Sequence, residues 1–134
     1  MIETKEKPVL VQRIFKTKHF AKSAKKSDIQ DKELCEAIKE VMRGQADDLG
    51  GGVFKKRLKK NSHRSIILAR GRNRWIYAYL FAKKDRANIE DDELKVFRKL
   101  AEGYAAATDE VIEQALAIEE LVEICHEQKT EVQK

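Results

Sequence analysis

No apolar run in the chain approaches the roughly 18 residues that a membrane-spanning helix needs, so no transmembrane segment is expected. Proline occurs once, at Pro8, and cysteine twice, at Cys35 and Cys125, without a CxxC spacing. Each cysteine falls in or near a helical pattern, among apolar neighbours. Two isolated thiols of this kind argue for a reducing compartment and for buried small hydrophobes, and against a disulfide or a zinc site. The first residues, MIETKEKPVLVQRIF, lack the apolar core of a secretory leader. The expectation is a soluble cytoplasmic protein. Its 134 residues, 42% of them hydrophobic, suffice for one modest core, so one domain with extensions is expected.

Acid is scarce where base is dense. Residues 53–86 hold twelve Lys or Arg and one acid, Asp85, which makes +11 in 34 residues of a chain that is only +5. Residues 1–52 carry +2, and residues 87–134 carry −8. A uniformly solvated surface mixes the signs. The basic block therefore points to a polyphosphate partner, and the acidic end to a different role.

Periodicity orders the chain. Residues 1–8 are polar and should fray, and Val9 to Thr17 suits a strand. His19 to Lys26 suits one or two helical turns. Ser27, with Gln30 as its reciprocal partner, reads as a capping box for the next helix. Ile29, Leu34, Cys35, Ile38, Val41 and Met42 then recur at helical spacing. The helix ends near Gly44, and ADDLGGG reads as a loop. Three strands follow, Val53 to Leu58, Arg64 to Ala69 and Trp75 to Ala82, with connections short enough for an antiparallel meander. Alternation puts Val53, Lys55 and Arg57 on one side of the first, and Phe54, Lys56 and Leu58 on the other. Phe54 and Leu58 should face the core, with Lys56 near an edge. Along the last strand, Trp75, Tyr77, Tyr79 and Phe81 alternate with Ile76, Ala78 and Leu80, so both faces are apolar. Asp91, Asp92 and Glu93 favour a helix start, and Thr108 a cap for one more helix. LVEIC fits either a continued helix or a short strand. The result is an α+β domain over residues 9–106, with an acidic helical extension over 107–134.

LGGGVFKKRL, HRSIILARG and YLFAKKDRANI followed by DDELKVFRKLAEGY together resemble the RelE/ParE toxin superfamily, most closely its HigB-like branch. The resemblance covers roughly Ile14 to Tyr104. It implies a microbial-ribonuclease-like fold, a small twisted antiparallel sheet with N-terminal helices packed on it. It also implies metal-independent, cofactor-independent cleavage of mRNA in the ribosomal A site, and a cognate antitoxin, a helix-turn-helix protein for the HigB branch. Matched residue by residue, the family's alternating basic pair falls on Lys55 and Arg57, its next Arg on Arg64, and its basic run on Lys83, Lys84 and Arg86. The position of a base-stacking Tyr is Glu90 here. Related HigB toxins use a His in their sites, and His63, inside the block, stands beside Arg64.

Such a cationic set can cut RNA. The 2′-hydroxyl must lose a proton, the phosphorane must be stabilised, and the 5′-oxygen must leave protonated. Repulsion among clustered cations favours a neutral Lys, which makes Lys55 the base candidate. Arg57 and Arg64 would grip the scissile phosphate in bidentate fashion, and Lys84 or Arg86 would bind phosphate or assist the leaving group. Lys56, Lys59, Lys60, His63 and Lys83 complete the expected RNA-binding set. The turn residues Arg70, Arg72 and Arg74 are either solvated or contact ribosomal RNA. Two rival readings stand beside it: a ParE-like gyrase inhibitor, whose relatives share the fold but lack the full basic set kept here, and a non-catalytic nucleic-acid-binding accessory protein. For the acidic tail the alternatives are a solvated helix, an antitoxin contact, or a mask over the cationic site.

Overall fold

The computed structural model describes residues 11–126. The fraying expected for 1–8 lies outside these residues. The elements run β1 (Arg13–Thr17), α1 (Lys18–Lys26), α2 (Asp31–Met42), β2 (Asp47–Gly50), β3 (Val53–Leu58), β4 (His63–Leu68), β5 (Arg74–Ala82), α3 (Asp91–Ala106), α4 (Asp109–Ala117) and β6 (Leu121–Ile124). The strands form one sheet in the order β2-β3-β4-β5-β1-β6. The expected α+β class holds, and so does the β3-β4-β5 meander. The sheet is mixed rather than antiparallel throughout, because β1 joins β5 in parallel, Ile14 opposite Trp75.

Each face of the sheet carries its own core. On one side α1 and α2 bury Phe20, Leu34, Ile38 and Val41 against Leu58, Ile67, Tyr77 and Leu80. Phe20 and Tyr77 meet with ring centroids 5.1 Å apart, and the Tyr77 hydroxyl donates to Leu34 O at 2.7 Å. On the other side α3 and α4 place Phe97, Ala101 and Ile112 over Phe15, Val53, Ile66, Leu68 and Ile76. Val53 is thus buried on the side it shares with Lys55, because a second helical layer covers that half of the strand.

Local chemistry explains most boundaries. Thr17 caps α1 by accepting from Phe20 N at 3.0 Å, and Thr108 caps α4 by accepting from Val111 N at 3.2 Å. At α3, Glu93 Oε1 accepts from Glu90 N at 2.7 Å, closing a capping box. The box expected from Ser27 and Gln30 does not form: Ser27 ends α1, and Gln30 itself is the N-cap of α2. ADDLGGG is also not a loop throughout. Asp47–Gly50 pairs with β3, and the hairpin turns on Gly51 and Gly52 with φ of 67° and 85°. A Cβ on Gly52 would lie 2.5 Å from Arg70 Cα, a backbone atom, so only glycine fits there.

Two further expectations need correction. Arg74 is neither solvated nor directed at a partner. Its guanidinium donates to Tyr104 O at 2.7 Å and Ala107 O at 2.6 Å, and to Asp109 Oδ1 at 2.9 Å, satisfying the carbonyl end of α3 and tying it to α4. Cys35 and Cys125 form a disulfide, with Cα atoms 5.4 Å apart across a separation of 90 residues. LVEIC supplies the strand β6, antiparallel to β1, which delivers Cys125 to the side of the sheet where α2 carries Cys35. Nothing in the spacing of two remote cysteines signals that meeting.

Candidate active site and nucleic-acid interface

Strand alternation and register build the cationic face. Lys55 and Arg57 project from β3 on the α3 side. Arg57 lies opposite Arg64 of β4, and Arg64 opposite Phe81 of β5. One row across the sheet therefore reads Arg57, Arg64, Phe81. The row beside it reads Lys55, Ile66, Tyr79. Like charges placed directly opposite each other cost stability, and Arg57 has no acidic partner among the described residues. Arg64 donates from Nη1 to Asn61 O at 3.0 Å and His63 O at 3.2 Å, which anchors one edge of its fork to the turn.

A bulge in β5 completes the face. Ile66 pairs with Tyr79 but Ile67 with Tyr77, so Ala78 is an extra residue on β5. Simple alternation would keep Trp75, Tyr77, Tyr79 and Phe81 on one side. The bulge reverses it, leaving Trp75 and Tyr77 under α1 and α2 and turning Tyr79 and Phe81 to the cationic side. Arg86 rides over both rings, 5.9 Å from the Tyr79 centroid and 5.5 Å from that of Phe81. It also donates to the Tyr79 hydroxyl at 3.1 Å, and its two terminal nitrogens bind Glu93 at 2.5 and 3.1 Å. His19 stacks on Tyr79 from α1, with centroids 6.0 Å apart and planes within 12°.

Carboxylates enter this face from outside the basic block. Asp47 Oδ2 stands 3.8 Å from Lys55 Nζ, which also donates to Asn88 Oδ1 at 3.2 Å. Asp47, Lys55, Arg57 and Arg64 line one open depression of about 290 Å³. The Glu93 carboxyl is held below its ordinary range, first by Arg86 and then by the Glu90 N–H. No cluster of potential metal ligands occurs among the described residues.

The residues singled out in the sequence do not all converge. Lys55, Arg57, Arg64 and Arg86 share the α3 side of the sheet. Lys56 turns to the α2 side, 2.7 Å from Glu40 Oε1, and donates to Gln45 O at 2.9 Å, yet it too lines the depression with Lys55, Arg57 and Arg64. This ion pair depresses the Glu40 carboxyl. Lys59, Lys60, His63, Lys83 and Lys84 gather instead around a second concavity, at the β3–β4 turn. Tyr79, His19, Asp47 and Glu93 were not singled out. Asp47 and Glu93 lie outside the basic block, and the side taken by Tyr79 depends on a bulge.

Fold and charge together define a small α+β protein with one strongly cationic sheet face. The family model of the RelE toxin of the RelE / RelB toxin–antitoxin system matches residues 12–124. The chain belongs to the RelE toxin family, whose toxins pair with an antitoxin. No curated protein and no solved structure matches it. Among the described residues no helix is long and apolar enough to cross a membrane.

Proposed function

We propose that this toxin is a ribosome-dependent mRNA endonuclease of the HigB-like branch, acting in the cytoplasm without metal or cofactor and held inactive by a helix-turn-helix antitoxin. The observation that carries the reading is the convergence of Lys55, Arg57 and Arg64 on one depression of the sheet. Membership of a family of endoribonucleases supports it. The Cys35–Cys125 bond removes the argument from isolated thiols, so the cytoplasmic assignment rests on the ribosome as target.

In this mechanism the scissile phosphate lies between Arg57 and Arg64, where the pair's mutual repulsion becomes attraction for an anion. Lys55 and Asp47 form the proton-accepting pair for the 2′-hydroxyl, the 2′-oxygen bonds to phosphorus, and the pentacovalent phosphorane collapses to a 2′,3′-cyclic phosphate as the P–O5′ bond breaks and the 5′-oxygen takes a proton from solvent water. Arg86, fixed by Glu93 and Tyr79, binds the phosphate beside the leaving group. Lys84 lines the second concavity, so its part is contact with the RNA chain away from the scissile bond. The direct test is to map transcript 5′ ends in cells expressing the protein, with and without its antitoxin. New ends inside translated codons are expected for the wild type and not for Lys55→Ala or Arg64→Ala. Undiminished cleavage by both variants would remove the mechanism.

A further inference from the structure

The β3–β4 turn opens the second concavity, of about 650 Å³, with Lys60, Ser62, His63, Ala82, Lys83 and Lys84 in its wall. It lies on another rung of the sheet from the arginines. Leu58, His63 and Ala82 are in register across β3, β4 and β5, one position beyond the Arg57–Arg64–Phe81 row. Alternation directs that rung to the α2 side, where Leu58 joins the core.

Three features set this concavity apart from a solvated turn. Lys60, Lys83 and Lys84 have no hydrogen-bond or ion-pair partner for their ammonium groups among the described residues. Lys59, Lys60 and Asn61 are consecutive non-glycine residues at φ of 52°, 51° and 73°, a conformation that persists only where its surroundings impose it. Here they do: Glu33 accepts from Lys59 N, and Lys59 Nζ donates to Ser27 O. The third feature is the tautomer of His63. The Ser62 hydroxyl donates to Lys59 O at 2.7 Å, so its oxygen is left to accept the Nδ1–H of His63 at 2.8 Å. Nε2 then carries a lone pair. Burial, and after it the charge of Lys59, push the His63 imidazole below its ordinary value against the opposing carboxylates of Glu33 and Asp85, which favours its neutral form.

A bare inorganic anion would use the ammonium groups and nothing else. The flat neutral ring, the Ala82 methyl and the aliphatic lysine stems offer apolar contact, and Nε2 asks for a donor. Cations, a flat apolar wall and one acceptor together match an amphipathic anion, and the volume falls in the range of about 300–1,000 Å³ typical of small-molecule sites. We propose that this concavity binds a nucleoside phosphate, with the phosphate among Lys60, Lys83 and Lys84, the base or ribose against His63 and Ala82, and a ligand hydroxyl or N–H donated to His63 Nε2. The site is independent of whether the strand face cleaves RNA. The ligand is either a free nucleotide or one nucleotide of an RNA chain.

Titrating the full chain with adenosine monophosphate, inorganic phosphate and a 2′-O-methyl dinucleotide, followed through the His63 ring and Ala82 methyl resonances, tests this. Saturable binding of adenosine monophosphate is expected, with phosphate alone about tenfold weaker. The double variant Lys83→Ala/Lys84→Ala should lose about tenfold or more, His63→Phe should weaken binding by losing the acceptor, and Lys99→Ala, which removes an exposed cation of α3, should bind as the wild type does. A dinucleotide tighter than the mononucleotide assigns the site to RNA, and the reverse order assigns it to free nucleotide. Lack of saturation by about 10 mM of either nucleotide probe, equal binding of phosphate, or equal losses on Lys83→Ala/Lys84→Ala and Lys99→Ala would overturn the proposal.

Discussion

The two faces of the sheet are covered to different extents. Under α1 and α2, the rungs from Trp75 and Tyr77 to Leu80 and Leu58 belong to one core, joined to α2 by the Cys35–Cys125 bond. Under α3 and α4, the core reaches Val53, Ile66 and Ile76, and then gives way to Lys55, Arg57 and Arg64. The same short strands thus serve stability on one side and present charge on the other. Half-coverage concentrates the cations: a third helix over β3 and β4 would have to bury the arginines or displace them.

This contrast can be broken from either side. The largest effect on stability should come from the disulfide. Closing a 90-residue separation contributes on the order of 4 kcal/mol in the chain-entropy account, so Cys35→Ala/Cys125→Ala should lower the urea midpoint strongly. An unchanged midpoint would mean that the covered face does not depend on its cross-link. On the open face, Arg57→Ala or Arg64→Ala should lower RNA cleavage by about 10²–10³-fold, the effect of removing one donor to a developing charge. Arg57→Ala should unfold at or slightly above the wild-type urea midpoint, since it relieves a like-charge pair, whereas Arg64→Ala also loses its bonds to Asn61 O and His63 O and should unfold below Arg57→Ala. A matched pair sharpens the contrast further. Tyr77→Phe removes a buried hydrogen bond and should cost about 1 kcal/mol, whereas Tyr79→Phe frees one edge of Arg86 and should show in RNA binding before it shows in stability. Denaturant titration beside an RNA-binding assay separates the two.

The smallest effect is in pH. The folded value of Glu93 is depressed, so the stability it contributes is fully present above the unfolded value of about 4.3 and is lost as pH falls through the folded value. Part-exposed pairs of this kind contribute at most about 1 kcal/mol. Glu93→Gln should therefore lower stability by at most about 1 kcal/mol at neutral pH, leave it unchanged below the folded value, and so flatten the acid limb of the stability–pH curve. A large loss at pH 7 would contradict the surface character of the Arg86–Glu93 pair.

Local chemistry was legible in the chain, and register was not. Thr108 could be read as a cap because a cap needs only its own helix, and β3 could be read from residues that alternate in place. DDLG has no strand propensity and becomes β2 only because β3 lies beside it. LVEIC is too short to decide between helix and strand until β1 offers an edge. The arginine row follows from alternation plus a hairpin, both visible in the sequence. The turning of Tyr79 and Phe81 toward that row depends on one extra residue opposite Ile66 and Ile67, which only the paired strand reveals. Asp47 and Glu93 enter the same face from segments whose charge counts suggest nothing of the kind.

The most direct test of the central claim compares single-turnover cleavage of ribosome-bound mRNA by the wild type, Arg57→Ala and Lys26→Ala, the last removing an exposed cation from the end of α1. Arg57→Ala should lose about 100-fold or more, and Lys26→Ala should cleave at the wild-type rate. Equal rates for all three, or equal losses for both variants, would contradict that claim.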